Sequence, residues 1–213
     1  MKKIIYILIF SFLFTDKLPN DVRWVVESTE YESLCHQTYK LATERIKNLQ
    51  DIDQNLAVIM DLDETVLDNS QYQVELYEKN ETYNPESWAV WVLKEEAKLV
   101  PGAKEFIDIV RKKGIQLIFI SNRMDARLEA TINNMKKCKV SSENDIYLLR
   151  LDKADKKTVR RNEVYTASGR MSKYKRFEIV LYIGDAMGDF PKKDFDKFGN
   201  NQIILPNPMY GKW

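Results

Sequence analysis

Five short apolar runs punctuate the sequence: Leu56–Met60, Ile115–Ile120, a weaker one at Ile146–Leu149, Ile179–Ile183 and Gln202–Leu205. Four to six residues is strand length, and continuous rather than alternating apolarity marks a strand covered on both faces. Helical patterns separate the runs. Pro101–Gly102 opens one over Ala103–Lys113 that Gly114 stops, and Asp125–Lys137 is another. Strand alternating with helix predicts an α/β fold, a parallel Rossmann-like sheet with right-handed crossovers and helices on its faces. Before the first run, apolar positions from Val22 to Ile46 recur near a 3.6-residue period, which predicts one long helix from Asn20 or Asp21 to about Leu49.

Forty residues, 61–100, lie between the first run and Pro101, more than a simple crossover needs. Gln71–Lys79 and Pro85–Ala97 are candidate helices there, the second capped by Asn84 with Pro85 in its first turn. This stretch is expected to be a small helical cap, inserted at about residues 68–100 over the carboxyl edge of the sheet. No repeat, low-complexity tract or linker divides the rest, so residues 21–213 are expected to form one domain.

Composition excludes several function classes. Lys plus Arg is 33 and Asp plus Glu 32, a formal charge of +1, which disfavours a nucleic-acid polymer as partner. Cys35, His36 and Cys138 are the whole Cys and His complement, too few for structural zinc. Thiol phosphatases place an Arg six positions after the nucleophilic Cys, where this chain has Leu41 and Asn144. No G-x-S-x-G elbow accompanies His36 as a serine hydrolase would require.

At the start, Lys2 and Lys3 precede eleven residues, Ile4–Phe14, broken only by Ser11. That is the pattern of an export signal, expected over residues 1–20, and it is shorter than the roughly 20 residues that span a bilayer. Its cleavage stays open, and so does oxidative pairing of Cys35 with Cys138 outside the cytoplasm. Any membrane contact is expected through this segment alone.

Ligands of open parallel sheets gather at the carboxyl ends of the strands. There the first run leads into Asp61-Leu62-Asp63-Glu64-Thr65, with Asp61 placed to act as nucleophile and Asp63 as general acid. A carboxylate approaching a phosphate dianion meets repulsion of about 4 kcal/mol per unit-charge pair at 4 Å and an effective dielectric near 20, so such a site needs cations. Gly184-Asp185-Ala186-Met187-Gly188-Asp189 puts two carboxylates four apart after the fourth run, an oxygen set suited to Mg²⁺. Lys157 offers a fixed positive charge, with Lys153 and Lys156 as competitors, and Ser121 a hydroxyl donor for phosphoryl oxygens.

These segments resemble the haloacid-dehalogenase-like phosphatases, whose signature is D-x-D-x-T, a strand-end Ser or Thr, a Lys and G-D-x-x-x-D. More narrowly, Asp61 to Ser70, Pro101-Gly102-Ala103, Ser121-Asn122-Arg123, Lys157 to Arg160, Tyr182 to Asp185, Asp189-Phe190 and Leu205 to Trp213 are similar to the acid phosphatase family of outer-membrane lipoprotein e, a class B/C-like group. The resemblance implies a Mg²⁺-dependent acid phosphatase acting through an aspartyl-phosphate on nucleoside 5′-monophosphates, nicotinamide mononucleotide and small aryl phosphates. It implies Mg²⁺ ligation by Asp61, the Asp63 carbonyl and Asp185; Asp189 is expected to hold a metal-bound water rather than to be a direct ligand. Ser121 and Lys157 then act on the phosphoryl group, Asn122 and Arg123 bind substrate, and Trp88 and Tyr210 clamp the base.

The lipid-bearing Cys of that family is missing, so the expectation is an exported protein of the periplasm or cell envelope, outer-membrane associated but not a lipoprotein. A homodimer is compatible with all of this. The alternatives are a sugar phosphatase or phosphotransferase on the same scaffold, or a non-catalytic surface protein such as a haem binder using His36.

Overall fold

The structure, a computed structural model, describes residues 17–50 and 55–211. Residues 1–16, which carry most of the expected export signal, lie outside the described residues. Two helices come first, α1 (Asn20–Glu27) and α2 (Thr29–Lys47). The single long helix read from the apolar period is therefore corrected to two. Ser28 adopts an extended conformation between them, and its hydroxyl accepts the Tyr31 backbone N–H at 3.1 Å, capping α2.

The chain continues through β1 (Leu56–Met60), β2 (Leu67–Asp68), α3 (Ser70–Glu78), α4 (Pro85–Lys94), β3 (Lys98–Leu99), α5 (Ala103–Lys112), β4 (Gln116–Met124), α6 (Leu128–Lys137), β5 (Ile146–Arg150), α7 (Lys157–Thr166), β6 (Glu178–Gly184) and β7 (Gln202–Ile204). Five strands form one sheet in the order β5-β4-β1-β6-β7, every pairing parallel. With helices on both faces this is the expected α/β architecture.

Alternation along β1 shows why its run is apolar throughout. Val58 and Met60 enter a core shared with Tyr39 and Ile46 of α2 and Phe106 and Val110 of α5. Ala57 and Ile59 enter a second core with Val164 of α7, Met171 and Phe177. A strand sandwiched in this way has no wet face on which a polar residue would be favoured.

Helices α3 and α4 leave the sheet domain and return to it through a two-stranded antiparallel ribbon, in which Leu67 pairs with Leu99 and Asp68 with Lys98. Asn84 caps α4, its side chain accepting the Ser87 N–H at 2.7 Å, and Glu95 in the left-handed conformation ends it. Trp91 and Val92 of α4 are buried against the domain beneath. Cys35 and Cys138 are both free thiols.

Candidate active site

Asp61 directly follows β1, and its N–H donates to Ile183 O at 2.9 Å, so the β1–β6 pairing runs right up to the carboxylate. Asp185 and Asp189 follow β6. One carboxylate oxygen from each of Asp61, Asp185 and Asp189 lies within 4.8 Å of the others. Lys157, the first residue of α7, reaches Asp61 Oδ1 at 2.7 Å and also pairs with Asp189 Oδ1. This selects Lys157 over Lys153 and Lys156 as the cation of the cluster.

Three carboxylates and one ammonium leave a net charge of −2 if all are ionised, which a single divalent cation would cancel. The perturbed acidities follow from that excess. Burial raises the pKa of Asp61, and although Lys157 opposes this, Asp189, Asp185 and Asp63 push it further up. Burial and the Asp189 charge raise Asp185 to about 6, against the opposing pull of Asn207 and Lys157. Lys157 by contrast is held above the ordinary lysine value: burial would lower it, and Asp61 and Asp189 outweigh burial. Hard oxygen donors converging in this way could hold a divalent cation, which would relieve their mutual repulsion.

Gly184 permits the arrangement. A Cβ there would fall 2.3 Å from Asp189 Oδ2, so the carboxylate occupies the space of the missing side chain. Asp189 Oδ2 also accepts the Ala186 N–H at 3.0 Å, folding the loop back on itself.

The Asp63 side chain stands beside this cluster rather than in it. Its Oδ1 accepts Arg123 Nε at 2.8 Å and Asn69 Nδ2 at 3.0 Å, and Ser121 Oγ donates to Oδ2 at 3.3 Å. Arg123, expected to bind substrate, is directed inward onto these groups. It is 1% exposed, and its guanidinium is occupied by Asp63, Asn69 and Thr131. Asn122 is exposed, with its Oδ1 held by Arg160 Nη2 at 2.7 Å. Trp88 is half-buried, edge-on to Tyr72, with the Arg123 guanidinium 5.7 Å from its ring centroid. Tyr210 is exposed in the last loop, and Asn207 of that loop donates to Asp185 Oδ2 at 2.7 Å. His36, the residue a haem reading relied on, is an exposed α2 residue 3.9 Å from Glu32.

The sequence matches the family described as HAD superfamily, subfamily IIIB (acid phosphatase), over residues 13–213. The chain belongs to this acid phosphatase family. It is similar to the class C acid phosphatase from Bacillus anthracis, at 31% identity over 91% of this chain and 84% of that one, with a TM-score of 0.76. The same relative has been solved with tungstate bound, and it superposes equally well. The stem 31 kDa glycoprotein of Glycine max is 26% identical over 189 residues, 85% of this chain and 68% of that one. A Pnkp1/Rnl/Hen1 RNA repair complex shares the fold alone, at 17% identity and a TM-score of 0.51.

Asn207 and Arg160 carried no assigned role in the sequence, and Asn69 was expected only to shape the first loop. Asn207 lies in a motif that was legible only as resemblance. Arg160, fully buried, donates to Ser121 O, Leu148 O and Asn122 Oδ1 and so holds the carboxyl end of β4 beside β5. Asn69 looks like an ordinary helix cap and is not one: it stands at the N-cap position of α3, but its side chain caps nothing there.

Proposed function

We propose that the protein is a Mg²⁺-dependent phosphomonoesterase acting on nucleoside 5′-monophosphates through an aspartyl-phosphate. The observation that carries this reading is the convergence of Asp61, Asp185 and Asp189 with Lys157 on Asp61. Mg²⁺ would be held by the carboxylates of Asp61 and Asp185 and the Asp63 carbonyl, supplying charge neutralisation that lets a phosphate dianion approach.

An Asp61 carboxylate oxygen attacks phosphorus and the ester oxygen departs, taking a proton from Asp63. Asp63 then removes a proton from water, whose oxygen attacks the phosphoryl group, freeing Asp61 and inorganic phosphate. Ser121, Asn122 and Lys157 stabilise the transferred oxygens. Trp88, beside Arg123 at the edge of the site, supports an aromatic leaving group. Stacking on a base contributes about 1–3 kcal/mol, roughly 5- to 150-fold in selection over a sugar phosphate. Tyr210 serves as the second face of that clamp. The basic, apolar start of the sequence supports an exported enzyme of the cell envelope.

The test is phosphate release from AMP, nicotinamide mononucleotide and glucose 6-phosphate, with Mg²⁺ and with EDTA. Activity on the nucleotides that EDTA abolishes, and that Asp61→Asn lowers by at least about 10³-fold, is expected. An Asp61→Asn variant retaining most activity would overturn the mechanism. Equal kcat/KM on all three substrates would overturn the nucleotide assignment.

A further inference from the structure

Asn69 stands where a helix ordinarily begins with a capping side chain, and it forgoes that role. An N-cap Asn accepts a backbone N–H from the first turn, a contact worth about 1 kcal/mol in ordinary helices. Here the side chain is fully buried and turned the other way, into the loop that carries Asp63. Its Nδ2 donates to Asp63 Oδ1 at 3.0 Å and Glu64 Oε1 at 3.1 Å. Its Oδ1 accepts Trp91 Nε1–H of α4 at 2.9 Å and Arg123 Nη2–H of β4 at 3.2 Å. The amide cannot be reversed, because its oxygen faces two donors and its nitrogen faces carboxylates. Glu64, next to Asp63, holds the left-handed conformation at φ 55°, and its Oε1 also takes the Asn69 backbone N–H at 2.8 Å. Local rules broken at Glu64 and Asn69, two residues joined by hydrogen bonds, mark a site whose geometry serves something other than stability.

We infer that Asn69 is a positioning residue that couples the seating of the cap to the orientation of the Asp63 carboxylate. Trp91 lies one helical turn beyond Trp88 on α4, so the hydrogen bond that locates Trp91 also locates the ring proposed to meet the base. The same amide, with Arg123, fixes which oxygen of Asp63 is held and which faces Ser121. No other residue type of this size offers two donors and two lone pairs at once. Aspartate would lack the donors and set a third carboxylate against Asp63 and Glu64, and leucine would leave the Trp91, Arg123 and Asp63 groups without this partner.

The inference rests on the phosphatase reading for its kinetic arm and has a second arm that does not. In the kinetic arm, Asn69→Leu is expected to lower kcat on AMP about tenfold or more. In an Asp63→Asn background the same substitution is expected to change kcat less than about twofold, because the group it acts through is already gone. Losses that multiply in the double variant would show a merely structural residue and overturn the inference. In the second arm, the Trp91 indole N–H resonance, assigned by its disappearance in Trp91→Phe, is followed by nitrogen-15 NMR. Asp63→Asn is expected to shift it in the wild-type background and to leave it in place in the Asn69→Leu background. An unmoved resonance in the first comparison overturns the coupling whether or not any monoester is hydrolysed, and it decides the matter even if Asn69→Leu fails to fold. Inactive wild-type enzyme with a shifted resonance would instead remove the phosphatase reading and leave the coupling standing.

Discussion

Gly184 is the residue at which the site has least tolerance. A methyl group there would sit 2.3 Å from Asp189 Oδ2, and the loop cannot recede, because Asp189 is tied to both Ala186 N–H and Lys157. Gly184→Ala is expected to cost about 1–3 kcal/mol of stability and to lower kcat at least tenfold by displacing Asp189, read by urea unfolding and phosphate release. Wild-type kinetics would show that the position of Asp189 is not needed. Asp61, Asp63 and Asp185 were legible at this scale because strand ends and short spacings place them without knowledge of anything distant, whereas choosing Lys157 over Lys153 and Lys156 took its contact with Asp61. The reach of Asn69 to Trp91 and Arg123 was not legible, nor were the contacts of Arg160 with Asn122 and of Asn207 with Asp185, because these partners lie 22 to 54 residues away. The inward turn of the Arg123 guanidinium onto Asp63 was hidden for a related reason: its place in the sequence puts it near the carboxyl edge without naming its partners.

Among the elements, the sheet strands were readable and the break in the first helix was not. The β1 run stands out because both faces are covered, whereas the apolar period of α1 carries into α2 and conceals the turn at Ser28. Ser28→Ala is expected to cost about 1 kcal/mol, the usual worth of a hydroxyl N-cap. Activity should be unchanged, with urea unfolding and a standard assay as the checks. The ribbon of β2 and β3 has two residues per strand, too few to show any period. Helix α4 carries the substrate prediction: Trp88→Ala is expected to lower kcat/KM for AMP about tenfold while changing glucose 6-phosphate hydrolysis less than about twofold. Parallel losses on the two substrates would mean that Trp88 only packs the cap.

For the molecule as a whole, the acid cluster links folding to pH and, on the proposed function, to metal. Burial and Asp189 raise Asp185 to about 6, above the ordinary aspartate value that it regains on unfolding. The folded state thus binds its proton more tightly. The stability this contributes is complete below the ordinary value and is lost as pH rises through about 6. In metal-free protein, Asp185→Asn is therefore expected to melt close to wild type at pH 4 and higher than wild type at pH 7.5. The gap, on the order of 1–2 kcal/mol after allowance for partial exposure, is measured by calorimetry with EDTA. Mg²⁺ should raise the wild-type Tm at pH 7.5, raise it much less at pH 5, where protons compete for the same oxygens, and leave Asp185→Asn nearly unmoved.

The Leu67–Leu99 stitch has a consequence for how such molecules diversify. Because both stems of the helical excursion are clasped together at its root, lengthening or trimming what lies between them alters the closure entropy by only about 0.6 kcal/mol per doubling. The helical excursion can be rebuilt as a graft while the carboxyl edge of the sheet stays untouched, provided the graft still supplies an indole for Asn69 to grip.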